Sequence, residues 1–179
     1  FTGSLAELGD RLEPATRRRT ATALDKARTR DSMQALAKLT TVVDGQVRFR
    51  SDPPLVVPIE ELLSTTDTIA LDEQLRSTLD HYRDTQPAHR SELLAHFTLR
   101  QIARKVVGVG SVGTRAWILL LEGVDDTDPL LLQAKEAQAS VLEAYTAPSR
   151  FDNHGERVVA GQQLMQAHSD IFLGWQRTT

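Results

Sequence analysis

Cysteine is absent from this 179-residue chain, and aromatic residues make up only 5% of it. The first absence excludes disulfides, thiolate chemistry and cysteine-based zinc sites together, and it fits a reducing compartment. The second leaves Leu, Val and Ala to fill any core. No apolar run approaches the roughly 20 residues needed to span a bilayer. No charge of one sign dominates either: the net charge of -3 selects neither nucleic acid nor a membrane surface as a partner. An initiating Met is also missing, and the opening Phe1-Thr2-Gly3-Ser4 is not a signal peptide. The expectation is an internal piece of a larger cytoplasmic protein, partnered by the remainder of its parent chain.

What is present is ordinary for a globular domain. The chain is 40% hydrophobic and 25% charged, and one domain of this length buries roughly 70% of its unfolded surface. Ser4 with Glu7 makes a capping-box pattern, Pro14 suits the first turn of a helix running to about Arg30, and Asp31 can cap a third helix bearing Met33, Leu36 and Leu39. Val47 and Phe49 alternate with Gln46, Arg48 and Arg50, a half-buried strand that Ser51-Asp52-Pro53-Pro54 stops. Through Pro58 an extended connection is expected. Helical spacing returns at Leu71, Leu75, Leu79 and Tyr82, breaks near Pro87, and resumes from Ser91 to about Arg100.

The character changes after Ala103. Lys105-Val106-Val107 leads into a glycine-rich segment, and an apolar strand runs from Trp117 to Leu121. An acidic turn spans Glu122-Gly123 to Asp128-Pro129, and a third strand runs from Leu130 to Lys135. Helices are expected over Ala139–Tyr145 and from His154 to about His168. The predicted fold class is α+β, with a mainly helical segment over 1–100 and a small antiparallel sheet with helices over 101–179.

Gly108, Gly110 and Gly113 fit G-x-G-x-x-G, and the residues after Gly113 separate its meanings. A dinucleotide fingerprint opens a helix at this point, whereas Trp117-Ile118-Leu119-Leu120-Leu121 has strand character. A phosphate-binding P-loop needs Lys-Ser or Lys-Thr where this chain has Thr114-Arg115. A serine-hydrolase elbow needs glycine where Val109 stands. The remaining pattern is strand, glycine loop, strand, turn, strand with a lysine, the order that opens a protein-kinase small lobe. Glycines let the backbone approach an anion closely, and lysine supplies a compact charge. Gln133-Ala134-Lys135 matches the kinase Val-Ala-Ile-Lys element only with a shift of one residue. On this reading the nucleotide-binding residues are Gly108, Val109, Gly110, Ser111, Val112, Gly113 and Lys135, with Glu156 as the acidic partner of the lysine and Glu143 the alternative nearer in sequence. Arg157, Gln162 and Gln166 are further polar candidates. The competing reading is a flexible hairpin turn with Lys135 as a solvated strand residue.

Other signals carry less. Arg17-Arg18-Arg19 with Lys26, Arg28 and Arg30 lacks interleaved aromatics, so nucleic acid is not an expected partner. Glu122, Asp125, Asp126 and Asp128 do not have EF-hand spacing and read as a solvated turn. His81, His89, His96, His154 and His168 form no ligand pair, so no metal site is assigned. Trp117 and Trp175 read as core or interface residues, and Asp170 as a helix-terminating carboxylate.

Three blocks carry a family resemblance: Lys105 to Thr114, Asp128 to Ala137 and His154 to Gln166, with the ending Ser169 to Trp175 in the same pattern. At these residues the chain resembles a large uncharacterised bacterial family, common in actinobacteria and known as domain of unknown function 2252. The resemblance extends across nearly the whole chain. It implies a grouping with kinase-like phosphotransferases, and the glycine-loop and lysine reading adds ATP or a related nucleotide, with Mg²⁺, as the expected cofactors. Longer members carry an Asp-His-Asn type loop and an Asn-Asp-Phe-Asp segment upstream, similar to a catalytic loop and a metal-binding aspartate in circularly permuted order. Neither segment occurs here, so catalytic residues and magnesium ligands are expected elsewhere in the parent, and the isolated piece is expected to be inactive. The alternatives are a non-enzymatic protein- or anion-binding module and a nucleotide-binding, pseudokinase-like scaffold without turnover.

Overall fold

The computed structural model describes residues 16, 32–106, 113–125 and 128–177. The Ser4/Glu7 capping box, the helix expected from Pro14 to Arg30, the Asp31 cap and the basic side chains from Arg17 to Arg30 lie outside the described residues. The chain divides into two compact units, residues 1–39 and 40–179. In the first, helix α1 covers Ser32–Leu39, with Leu36 and Leu39 half-buried. Lys38 stands in its last turn, where a cation suits the free carbonyls of the helix end.

The second unit begins with an antiparallel hairpin, β1 (Thr40–Val43) and β2 (Gln46–Phe49). Asp44 and Gly45 between them take φ of 52° and 76°, as a two-residue hairpin turn of the right twist requires. Periodicity reveals only β2, because Thr40-Thr41-Val42-Val43 has no alternation. Val56–Pro58, expected as an extended connection, is strand β3 and pairs antiparallel with Ala103, Arg104 and Lys105. The two descriptions share one backbone conformation, and only the hydrogen-bonded neighbour distinguishes them.

Three helices come next: α2 (Ile59–Leu62), α3 (Thr65–Asp84) and α4 (Ala88–Ala95). Ser64 caps α3, accepting from the Asp67 N–H at 3.3 Å while its hydroxyl donates to Asp67 Oδ2 at 2.6 Å, which satisfies one free backbone donor and fixes the capping hydroxyl. The helix expected over Ser91–Arg100 starts and stops earlier. Pro87 sets its beginning at Ala88, and Thr98–Lys105 is claimed by strand β4, which pairs with residues Trp117 to Glu122.

Strands β4, β5 (Ala116–Glu122) and β6 (Pro129–Lys135) complete an antiparallel sheet of order β3-β4-β5-β6. β5 is internal, which accounts for its unbroken apolar run: Ala116, Ile118 and Leu120 face one way, Leu119 and Leu121 the other, and all are buried. A bulge leaves Arg100 unmatched between Leu99 and Gln101. The extra residue keeps Leu99 and Gln101 buried on opposite faces and turns Arg100 outward, where it pairs with Glu122 at 2.8 Å. The core gathers Ile59, Leu99, Ile102, Leu119 and Leu121 against Leu71, Leu75 and Leu79, a helical stripe on α3. The other sheet face receives the hairpin, whose Phe49 N–H donates to buried Gln101 Oε1 at 2.7 Å.

After β6 the expected helix over Ala139–Tyr145 is a run of turns, closed by Glu143 N–H to Ser140 O at 3.0 Å and Tyr145 N–H to Leu142 O at 2.9 Å. Val141, Leu142 and Tyr145 are exposed, so no packing sustains a helix too short to stand alone. Helix α5 covers His154–Met165, ending short of His168. The fold is α+β, with antiparallel sheets. Among the described residues no helix is long and apolar enough to cross a membrane.

Candidate functional site

Three strand ends meet at one end of the sheet: the end of β4, the start of β5 and the end of β6. The glycine-rich segment links the first two. Gly108, Val109, Gly110, Ser111 and Val112 lie outside the described residues. Gly113, the last of the segment, has φ of +85° and open space around it, a backbone conformation that side chains with a Cβ rarely adopt.

Lys135 ends β6 directly opposite Ala116, so it stands at the sheet end where the glycine segment enters β5. Its side chain is exposed. Its neighbour Glu136 is engaged: Glu136 Oε2 lies 3.2 Å from Arg115 Nε, and its backbone N–H donates to Arg115 O at 2.9 Å. The hydrogen bond from the Arg115 guanidinium holds the Glu136 carboxyl below the usual carboxylate range. This pair clamps β5 to β6 one residue beyond Lys135.

Glu156 stands in the first turn of α5, where negative charge is favoured. Its backbone N–H is capped by Asn153 Oδ1 at 3.2 Å, alongside Gly155 N–H at 2.7 Å. None of the ion pairs within 4.0 Å among the described residues joins Lys135 to Glu156. Glu143 instead faces Arg157, with Oε1 3.8 Å from the buried Nε, while Arg157 Nη2 donates to Gln138 O at 2.7 Å. Arg157 therefore ties α5 to the segment after β6. Gln162 and Gln166 are exposed; Gln162 accepts the Gln166 N–H at the end of α5 through its backbone carbonyl.

The acidic turn is built by Asp128, whose carbonyl accepts the Gly123 N–H at 2.8 Å and whose Oδ2 accepts the Val124 N–H at 3.4 Å. Glu122 is spent on Arg100. Among the described residues no group of three His, Asp or Glu side chains is arranged to hold a metal ion. Asp170 Oδ1 accepts the Phe172 N–H at 2.7 Å, forming a turn after α5. The Phe172 carbonyl accepts from the Tyr82 hydroxyl on α3. Burial pushes the Tyr82 phenol up to about 12, with Asp170 adding to the rise and Arg90 opposing it.

A cavity of about 300 Å³ opens between α3, α4 and β4, lined by Arg76, Leu79, Asp80, Arg83, Leu94 and Leu99 among others. Its cations are committed: Arg76 reaches Asp72 at 2.5 Å and the Leu99 carbonyl at 2.9 Å, and Arg83 lies 3.6 Å from Asp80. That arrangement fastens helix to sheet.

The family described as "Uncharacterized protein conserved in bacteria (DUF2252)" matches residues 4–179, and the chain belongs to it. No curated protein and no solved structure matches the chain.

Proposed function

We propose that this family member contributes the phosphate-binding part of a kinase-like, nucleotide-dependent phosphotransferase, with the glycine segment Gly108–Gly113 over the phosphates and Lys135 against them. The observation that carries the reading is the position of Lys135. It closes β6 opposite Ala116, at the sheet end that the glycine segment joins, and no carboxylate lies within ion-pair distance of it among the described residues. A lysine left unneutralised beside a glycine-rich connection is available to an incoming anion. Magnesium would arrive with ATP, its protein ligands coming from the remainder of the parent chain; among the described residues no group of three His, Asp or Glu side chains is arranged to hold a metal ion.

A second reading, a non-enzymatic interaction module, is favoured by exposed apolar side chains: Val141 at 84%, Tyr145 at 86%, Leu164 at 81% and Met165 at 89%. One experiment separates the two. Calorimetric titration of the full-length protein with Mg²⁺–ATP is expected to give saturable binding, weakened roughly tenfold or more by Lys135→Ala, about 1.4 kcal/mol. A well-folded protein that binds no nucleotide sinks the first reading and leaves the second.

A further inference from the structure

The chain has only four lysines, Lys26, Lys38, Lys105 and Lys135, among 21 cationic side chains. Two of the four fall in one row of the sheet. Val56 pairs with Lys105 and Ala116 pairs with Lys135. Arg104 is opposite Trp117, so one further step of the same register sets Lys105 on the other side of Ala116. Residues opposite one another in adjacent strands project from the same face. Lys105 and Lys135 therefore share a face, separated by the strand that carries Ala116, with backbones about 10 Å apart. The side chain between them is the buried methyl of Ala116, so β5 itself places no long side chain between the two ammonium stems.

Both charges are also uncompensated. Among the described residues Arg76, Arg83, Arg100, Arg115 and Arg157 each have a carboxylate within 4.0 Å, and neither Lys105 nor Lys135 does. The nearest acidic residue in sequence, Glu136, is held by Arg115. Two like charges on one face repel unless an anion lies between them. A single phosphate reaches one lysine well, whereas a chain of phosphates can meet both ends of the row.

We infer that Lys105 and Lys135 form a two-cation clamp for a polyphosphate, the di- or triphosphate moiety of the ligand, with Lys105 a binding residue beside the one assigned above. This rests on the phosphate-binding reading of Lys135 and extends it to a ligand class. The probe is inorganic tripolyphosphate, compared with orthophosphate, titrated by calorimetry into the full-length protein. Lys105→Gln, Lys135→Gln and, as a charge control remote from the row in sequence, Lys38→Gln accompany it, each checked for native circular dichroism.

Tripolyphosphate is expected to bind at least tenfold more tightly than orthophosphate, and each of Lys105→Gln and Lys135→Gln to weaken it tenfold or more, with Lys38→Gln unchanged. Loss in Lys135→Gln alone overturns the clamp and leaves the single-lysine site standing. Equal loss in all three variants, or no preference over orthophosphate, also overturns it. Tripolyphosphate bound through both lysines by a protein that ignores ATP would uphold the clamp and remove the nucleotide reading.

Discussion

Gln101 is a single polar side chain that organises a large part of this fold. It is 9% exposed, and a buried amide must find partners. Its Oε1 takes the Phe49 N–H at 2.7 Å, and its Nε2 lies 3.5 Å from Glu60 Oε1. One side chain thus fastens the hairpin to the four-stranded sheet. Gln101→Leu keeps the volume but strands the Phe49 N–H, and is expected to cost about 1–3 kcal/mol in urea unfolding. A change under about 0.5 kcal/mol, the usual range for a surface substitution, would show that water replaces the bond. Nothing in the sequence marks Gln101 as inward-facing, because the bulge at Arg100 breaks the alternation that would reveal it.

Among the helices and strands, local chemistry explains where several begin. Asp44-Gly45 turns the first hairpin, Ser64 starts α3 and Pro87 starts α4. Asn153 starts α5 by accepting both the Gly155 and Glu156 N–H groups. Asn153→Ala is expected to destabilise α5 by about 1 kcal/mol, read as faster hydrogen exchange at Gly155 and Glu156 with the sheet amides unchanged. The ends of elements are less legible. Ser91–Arg100 has helical spacing, yet Thr98–Arg100 lies in β4 because its partner strand, β5, supplies better hydrogen bonds and burial than another helical turn. The segment Ala139–Tyr145 has helix-forming residues and no surface to bury them against, so it stays a set of turns.

Across the second unit as a whole, the C-terminal segment is joined to α3 through the Tyr82 hydroxyl and the Phe172 carbonyl. Burial raises the Tyr82 phenol from 10.0 to about 12, so the folded state holds its proton more tightly than the unfolded chain does. The stability this contributes is complete below about pH 10 and is lost as pH rises toward about 12. In a Tyr145→Phe background Tyr82 is the only phenol left, and its ultraviolet titration is expected at about 12. Alkaline unfolding should then set in earlier for the parent than for Tyr82→Phe measured relative to its own neutral-pH stability. A phenol that titrates near 10.0 would mean that the contact with Phe172 is open in solution.

Local periodicity, capping and direct residue matches are enough to read the α+β class, the strands β5 and β6, the helix beginning at His154 and the family to which the chain belongs. Lys135 is legible in the same way, as a cation at a strand end. Pairing between distant segments is not. That Val56–Pro58 is a strand, that α3 covers the face bearing Leu119 and Leu121, and that Glu143 faces Arg157 emerge only when the chain is folded. The placement of Lys105 and Lys135 on either side of Ala116 belongs with them. These are matters of register. A one-residue slip of β4 against β5 would turn Lys105 to the opposite face, and the hydrogen bonds and buried side chains that fix the register join residues that are distant in sequence.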